Sequence, residues 1–355
     1  MKIGIIGLPA SGKTTLFNAL TGGAARTGAY GGGQLHVGVA QVADPRVDAL
    51  SAIFKPKKTT YATVDFADVP GLGSEEGEGA KRGAEAIPPA LQGADALLLV
   101  VRAFGGPGVP HPKGSVDPAR DLAGVRLDLI LRDMAVVERR LERLARTVPL
   151  KKDPAEAAEL EVLKRVQAAL DEGKTAASLG LPEEEMHRLR GFGFLSAKPL
   201  LVVVNAGEED IAKPAAGLGV AEEGAIVLCA RLEEELAQLP GAERADFLAG
   251  YGLERPARDR VVQASFALLG LICFLTVGED EVRSWPLRRG DTALRAAGAI
   301  HSDLERGFIR AEVIAYGDFM KAGSLAAGRE RGTLRLEGRD YAVRDGDILN
   351  IRFNV

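Results

Sequence analysis

Apolar and polar positions follow three distinct styles along this chain. Residues 1–125 interleave short apolar runs with amphipathic stretches. The runs Lys2–Ile6, Gly38–Ala43, Ala62–Asp68 and Ala96–Arg102 predict strands, and Thr14–Leu20 predicts the first helix. Strands alternating with helices make a mostly parallel α/β sheet. The second style begins at Ile130. Ile130, Met134, Val137, Leu141, Leu144 and Val148 step by 4, 3, 4, 3 and 4 residues, a heptad seam. Asp153 and Pro154 suit a helix start, as N-cap and first-turn residue. Leu160, Leu163, Val166 (or Gln167) and Leu170 then carry a second apolar stripe. Two such helices with a short connection predict an antiparallel hairpin.

The α/β style resumes at Lys198. Pro199–Asn205 is a near-continuous apolar run, as a central parallel strand requires, and Ala225–Cys229 is another. The hairpin is therefore an insertion within one α/β domain. After about residue 277 the third style appears, with short β-like runs broken by turns. Arg335–Val343 predicts two strands around a tight turn, and Ile348–Val355 predicts a last strand. The division expected is 1–125 and 196–276 for the α/β domain, 126–195 for the hairpin and 277–355 for a small β-rich domain.

Composition narrows the class. The 355 residues are 46% hydrophobic and 26% charged, with a net charge of −4. No global basic field draws the chain to nucleic acid; DNA binding is not expected, and an RNA contact needs a local basic face. Two cysteines far apart fit a reducing, cytoplasmic compartment. The first strand starts at once, leaving no room for a signal peptide. Runs such as Phe266–Leu275 are too short to span a bilayer, so no membrane is expected.

The chemistry concentrates in Gly7-Leu8-Pro9-Ala10-Ser11-Gly12-Lys13-Thr14, which reads G-x-x-x-x-G-K-T between a predicted strand and a predicted helix. This is the phosphate-binding loop, and its context fits. Its glycines let backbone N–H groups, such as those of Ala10, Ser11 and Gly12, turn toward phosphate. Lys13 reaches the β- and γ-phosphates, Thr14 offers a hydroxyl to Mg²⁺, and the helix N-terminus adds partial positive charge. A nucleoside triphosphate is the expected ligand, contacted by Pro9, Ala10, Ser11, Gly12, Lys13, Thr14 and Thr15.

Further residues complete the expected site. Asp68 ends a strand in Asp68-Val69-Pro70-Gly71, where an Asp holds Mg²⁺ and the Gly approaches the γ-phosphate. Ras-like enzymes place a water-orienting Gln next; Leu72 stands here and cannot bond water. His111, in the Gly- and Pro-rich loop 105–115, is a candidate to orient or deprotonate water, or else an exposed loop histidine. Asn205-Ala206-Gly207-Glu208 stands where guanine-specific enzymes carry N-K-x-D. Its longer carboxylate and the missing Lys stem remove a strict guanine preference. Cys229-Ala230-Arg231 matches a loop that closes over the base.

These residues, in this order, resemble the YchF subfamily of Obg-related phosphate-loop NTPases. The most specific stretches are Asp259–Gly270, Val277–Trp285, Ala296–Val313, Glu337–Tyr341 and Asp345–Asp347. The resemblance spans nearly the whole chain. It implies a Ras-like P-loop domain with an inserted helical hairpin and a C-terminal β-grasp TGS domain. It also implies ATP hydrolysis, often with ATP preferred to GTP, Mg²⁺ dependence and ribosome association. Its base motif falls on Asn205 and Glu208, its replaced glutamine on Leu72 and its loop histidine on His111. The chain departs from the pattern at Ala10, where Asn is usual, at Thr14, where Ser is usual, and at Gly32, where the first switch has Thr. Ala10 has no ligand atom for a monovalent cation, so strong potassium activation is not expected.

Three functions compete at this level. One is a nucleotide-switched ATPase on the translation machinery, with Arg139, Arg140, Arg143, Arg146, the Lys55–Lys58 patch and Arg329, Arg331, Arg335 and Arg339 as candidate RNA contacts. Another is a nucleotide-dependent binding module with negligible catalysis. The third is an Obg-type GTPase.

Overall fold

The computed structural model describes residues 1–355 except 24–34, 70–87, 107, 152 and 355. The chain divides into two compact units: Met1–Gly38 with Asp65–Val261, and Val39–Val64 with Val262–Val355.

One six-stranded sheet contains β1 (Lys2–Ile6), β2 (His36–Gln41), β4 (Thr63–Asp68), β5 (Ala96–Ala103), β6 (Leu200–Ala206) and β7 (Ile226–Leu228), in the order β2-β4-β1-β5-β6-β7. β1 lies parallel to β4 and β5, and β6 parallel to β5 and β7. Parallel strands covered on both faces read as unbroken apolar runs; Leu97, Leu98 and Leu99 of β5 are fully buried. The chain end of β1 therefore delivers the phosphate loop at the C-terminal edge of a central strand, where such sheets bind ligands.

The helical insertion begins earlier than residue 126. One helix of 34 residues runs from Pro118 to Lys151. Asp117 accepts from the Arg120 N–H at 3.0 Å and starts it. Its first turns belong to the α/β core, with Leu122, Val125 and Leu129 buried beside Leu99 and Val204. Beyond them Ile130, Val137 and Leu144 are buried against Val162, Leu163, Val166 and Leu170 of the helix Pro154–Asp171, while Met134, Leu141 and Val148 pack at the margin. Asp153 caps the second helix, accepting from Ala155 at 2.8 Å. Arg140 closes the pair with a bidentate bond to Glu159 at 2.6 and 2.8 Å.

The second unit carries the other sheet. Its strands are β3 (Lys58–Thr60), β8 (Leu271–Thr276), β9 (Glu281–Arg288), β10 (Phe308–Ala315), β11 (Arg335–Glu337) and β12 (Asp347–Phe353), in the order β11-β10-β12-β8-β9-β3. The helix Ala293–Ile300 buries Ala293, Ala296 and Ala297 against Phe274, Val313 and Leu349, the β-grasp arrangement.

Three expectations change here. The boundary at 277 cuts through the sheet, because β8 pairs with both β9 and β12. Residues 39–64 group with the terminal segment, because Val47 and Leu50 are fully buried with Leu275, Phe319 and Ile348, and β3 pairs with β9. Arg335–Val343 makes one strand, not two: Ala342 forms only an isolated bridge to Thr292.

Candidate nucleotide site

The loop after β1 takes the conformation its glycines allow. Gly7 and Gly12 have φ of +148° and +91°. A Cβ on Gly7 would lie 2.5 Å from the Val100 carbonyl oxygen, and one on Gly12 would lie 2.1 Å from Asn205 Nδ2. Ala10 also adopts a left-handed φ of +57°, which costs an L-residue about 1 kcal/mol. The helix Lys13–Thr21 follows directly, so its free N–H groups face the loop.

Lys13 is buried and its ammonium donates to the carbonyls of Gly7 at 3.1 Å and Leu8 at 2.8 Å. Burial pulls its pKa down to about 8, partly opposed by the charge of Asp68. Thr14 Oγ1 donates to Asp68 Oδ2 at 2.7 Å. The other carboxylate oxygen, Asp68 Oδ1, is buried with no hydrogen-bond partner among the described residues. Burial raises the Asp68 pKa, against the Thr14 bond and the charges of Lys13 and His36. A buried orphan acceptor beside a hydroxyl is a donor set for a hard cation.

Of the residues expected near the base, Asn205 and Ala230 are joined directly. Asn205 Nδ2 donates to the Ser11 carbonyl at 3.0 Å, and its Oδ1 accepts from the Ala230 N–H at 2.9 Å. One amide thus links the phosphate loop to the Cys229-Ala230-Arg231 turn. Glu208 is exposed in a short turn and accepts from Tyr251 Oη at 3.2 Å. Cys229 is buried, and burial raises its pKa. Arg231 points outward onto Glu235 at 3.1 Å. Pro9 and Thr15 are half-buried in and just after the loop. Gly71, Leu72 and Gly32 lie outside the described residues.

His111 is not an exposed loop histidine. Its side chain is 4% exposed, and Nε2 lies 2.9 Å from Asp121 Oδ2 in the first turns of the long helix. Its Nδ1 accepts from the Lys113 N–H at 3.1 Å. A neutral ring that accepts at Nδ1 carries its proton on Nε2, which here faces the Asp121 carboxylate without a well-aligned hydrogen bond.

Arg102 and Asp121 escaped the sequence reading. Arg102 ends the apolar run of β5, is 3% exposed, and donates to the carbonyls of Val109 at 2.8 Å, Phe104 at 3.1 Å and, more weakly, Ala10 at 3.5 Å. The one available signal was an arginine closing an otherwise apolar run. The expected basic patches are partly neutralised. Lys57 pairs with Asp280 at 2.7 Å and Lys58 with Glu281 at 3.6 Å. Arg329 bonds Glu312, Arg331 the Lys321 carbonyl, Arg335 Tyr341 and Arg339 the Phe308 carbonyl.

Among the described residues no helix is long and apolar enough to cross a membrane. Residues 2–128 match a domain model described as a 50S ribosome-binding GTPase. Residues 271–354 match the model of the YchF GTPase C-terminal region, described as a protein of unknown function. The chain is 39% identical over 368 residues to the ribosome-binding ATPase YchF of Bacillus subtilis strain 168, with all of both chains covered. It is 37% identical to the protein of that name in Escherichia coli O157:H7, covering 100% of this chain and 99% of that one. The solved YchF GTPase of Schizosaccharomyces pombe is similar with a TM-score of 0.83 and 27% identity, covering 99% of this chain and 97% of that one. A phosphate loop on a parallel sheet, a helical insertion and a matching terminal domain agree with these full-length likenesses, and the chain belongs to the YchF family of phosphate-loop nucleotide hydrolases.

Proposed function

We propose that this chain is a magnesium-dependent ATPase that tolerates GTP and switches its association with the ribosome by nucleotide state. The observation that carries the nucleotide half is the cluster of Lys13, Thr14 and Asp68 around a loop opened by Gly7 and Gly12. Thr14 and Asp68 would hold the magnesium ion together with water and phosphate oxygens. When bound, the ion neutralises charge on the phosphates.

Base choice follows from Glu208. Guanine recognition by a carboxylate needs both oxygens, one for N1–H and one for the 2-amino group. Glu208 is one methylene longer than the Asp of guanine-specific enzymes and Ala206 lacks the Lys stem that covers the base, which favours a site that accepts adenine. His111 is the group that can orient water once it turns out of its contact with Asp121. The ribosome half rests on the names of the bacterial relatives. Arg143 and Arg146 support the hairpin as anchor, since both side chains lie on the long helix three residues apart.

The test is co-sedimentation with ribosomes in the presence of ATP, a non-hydrolysable ATP analogue or ADP. Nucleotide-dependent binding that Lys13→Ala abolishes supports the reading. Binding that ignores nucleotide and survives Lys13→Ala overturns the switch.

A further inference from the structure

We propose that Asp121 is a positioning residue that holds His111 withdrawn, so that the first turns of the long helical arm restrain nucleotide hydrolysis. This rests on the reading of His111 as the water-orienting group.

Four observations converge. The two side chains are each 4% exposed and meet at 2.9 Å between Nε2 and Oδ2. A histidine that serves as a base keeps one nitrogen toward its substrate while an acid holds the other. Here Nδ1 is taken by the Lys113 N–H at 3.1 Å, and the remaining nitrogen faces the Asp121 carboxylate at 2.9 Å. The arrangement withholds the imidazole from water; it does not present it.

The contact is also releasable. Asp121 Oδ1 is held by Arg120 Nε at 3.0 Å, but Oδ2 is buried with no well-aligned hydrogen bond among the described residues. Its closeness to His111 is therefore an attraction of charge and dipole with poor direction, easily broken by a small displacement.

A water-sized cavity lies between the imidazole and the phosphate loop. His111 and Asp121 line a small cavity shared with Leu8, Pro9, Ser11 and Arg102. Ser11 Oγ is a second buried atom without a hydrogen-bond partner among the described residues. Arg102 pins the chain at Val109 and Pro110, at 2.8 and 3.4 Å, just before His111. These bonds fix the backbone and leave the side-chain torsions of His111 as the freedom the proposal needs.

Asp121 belongs to the same helix whose later turns form the paired arm. A load on the arm that shifts this helix would move the carboxylate from the imidazole. The arm and the hydrolytic group are thereby coupled through one contact.

The experiment compares steady-state ATP turnover of the full-length protein and its His111→Ala, Asp121→Asn and doubly substituted variants. Carbethoxylation of His111, read by mass spectrometry, is measured alongside. Asp121→Asn should raise turnover about tenfold, the population shift held back by one charge-assisted contact, and speed His111 labelling. The double variant should fall to the level of His111→Ala. If His111→Ala lowers turnover while Asp121→Asn leaves turnover and labelling unchanged, the restraint is overturned and the reading of His111 stands. If His111→Ala leaves turnover unchanged, that reading fails, and the inference with it. Circular dichroism of each variant separates these outcomes from loss of fold.

Discussion

The side-chain amide of Asn205 donates to the backbone carbonyl of Ser11 at 3.0 Å, tying the end of β6 to the middle of the phosphate loop. Its other end accepts from Ala230 at 2.9 Å. One buried residue thus ties the phosphate loop to the turn at Cys229-Ala230-Arg231. Asn205→Ala leaves a buried carbonyl and a buried N–H unpaired, a cost of about 1–3 kcal/mol each. Nucleotide affinity should fall about 10- to 100-fold with the fold retained, as calorimetry and circular dichroism would report. Unchanged affinity would remove Asn205 from the site.

Gly12 faces the same amide. Its φ is +91°, and a methyl group in place of its hydrogen would come within 2.1 Å of Asn205 Nδ2, which leaves no room for alanine. Gly12→Ala should abolish measurable nucleotide binding, while thermal unfolding shifts by only a few degrees, as for a loss of about 1 kcal/mol. A variant that binds normally would mean that the loop opens elsewhere.

At Ala10 the loop carries a methyl group in a left-handed conformation. No oxygen or nitrogen of that side chain can ligate a monovalent cation. ATP turnover should be equal in potassium and sodium buffers of the same ionic strength. A large gain specific to potassium would show that a cation is held by other groups.

Cys273 gives a pH signature to the second unit. The thiol is buried in β8, and burial raises its pKa from 9.0 to about 11, against the lowering influence of the Ser284 hydroxyl. A raised thiol pKa means that the folded state keeps a proton that the unfolded chain releases. Its stabilising contribution is complete below pH 9 and is lost as pH rises toward 11. The loss is about 2–3 kcal/mol across that window. Urea unfolding at about pH 8 and about pH 10.5, on either side of the ordinary thiol pKa, should show a smaller alkaline loss in Cys273→Ala than in the parent. Equal losses would place the alkaline sensitivity in other groups, Cys229 among them.

Local patterns carried much of this structure. The strand Lys2–Ile6 and the loop Gly7–Thr14 announce themselves by an apolar run and fixed glycine spacing. The hairpin was legible because Ile130, Val137 and Leu144 repeat at seven residues and lie buried as that period requires. What escaped depends on pairings between distant segments. Nothing near Val47 or Leu50 in sequence says that they pack with Phe319 and Ile348. The pairing of Lys57 with Asp280 spans 223 positions, so a basic run looked free when part of its charge is matched. The Gly- and Pro-rich loop left His111 open between a water-orienting group and an exposed loop histidine, because nothing local shows that its ring is buried beside Asp121.

The measurement that bears most directly on the central claim is titration calorimetry of ATP and GTP against the purified protein with magnesium, repeated with Glu208→Asp. ATP should bind at least as tightly as GTP, and Glu208→Asp should shift preference toward GTP. Tight GTP with weak ATP in the parent protein would contradict the claim, and would make this chain a guanine-specific switch.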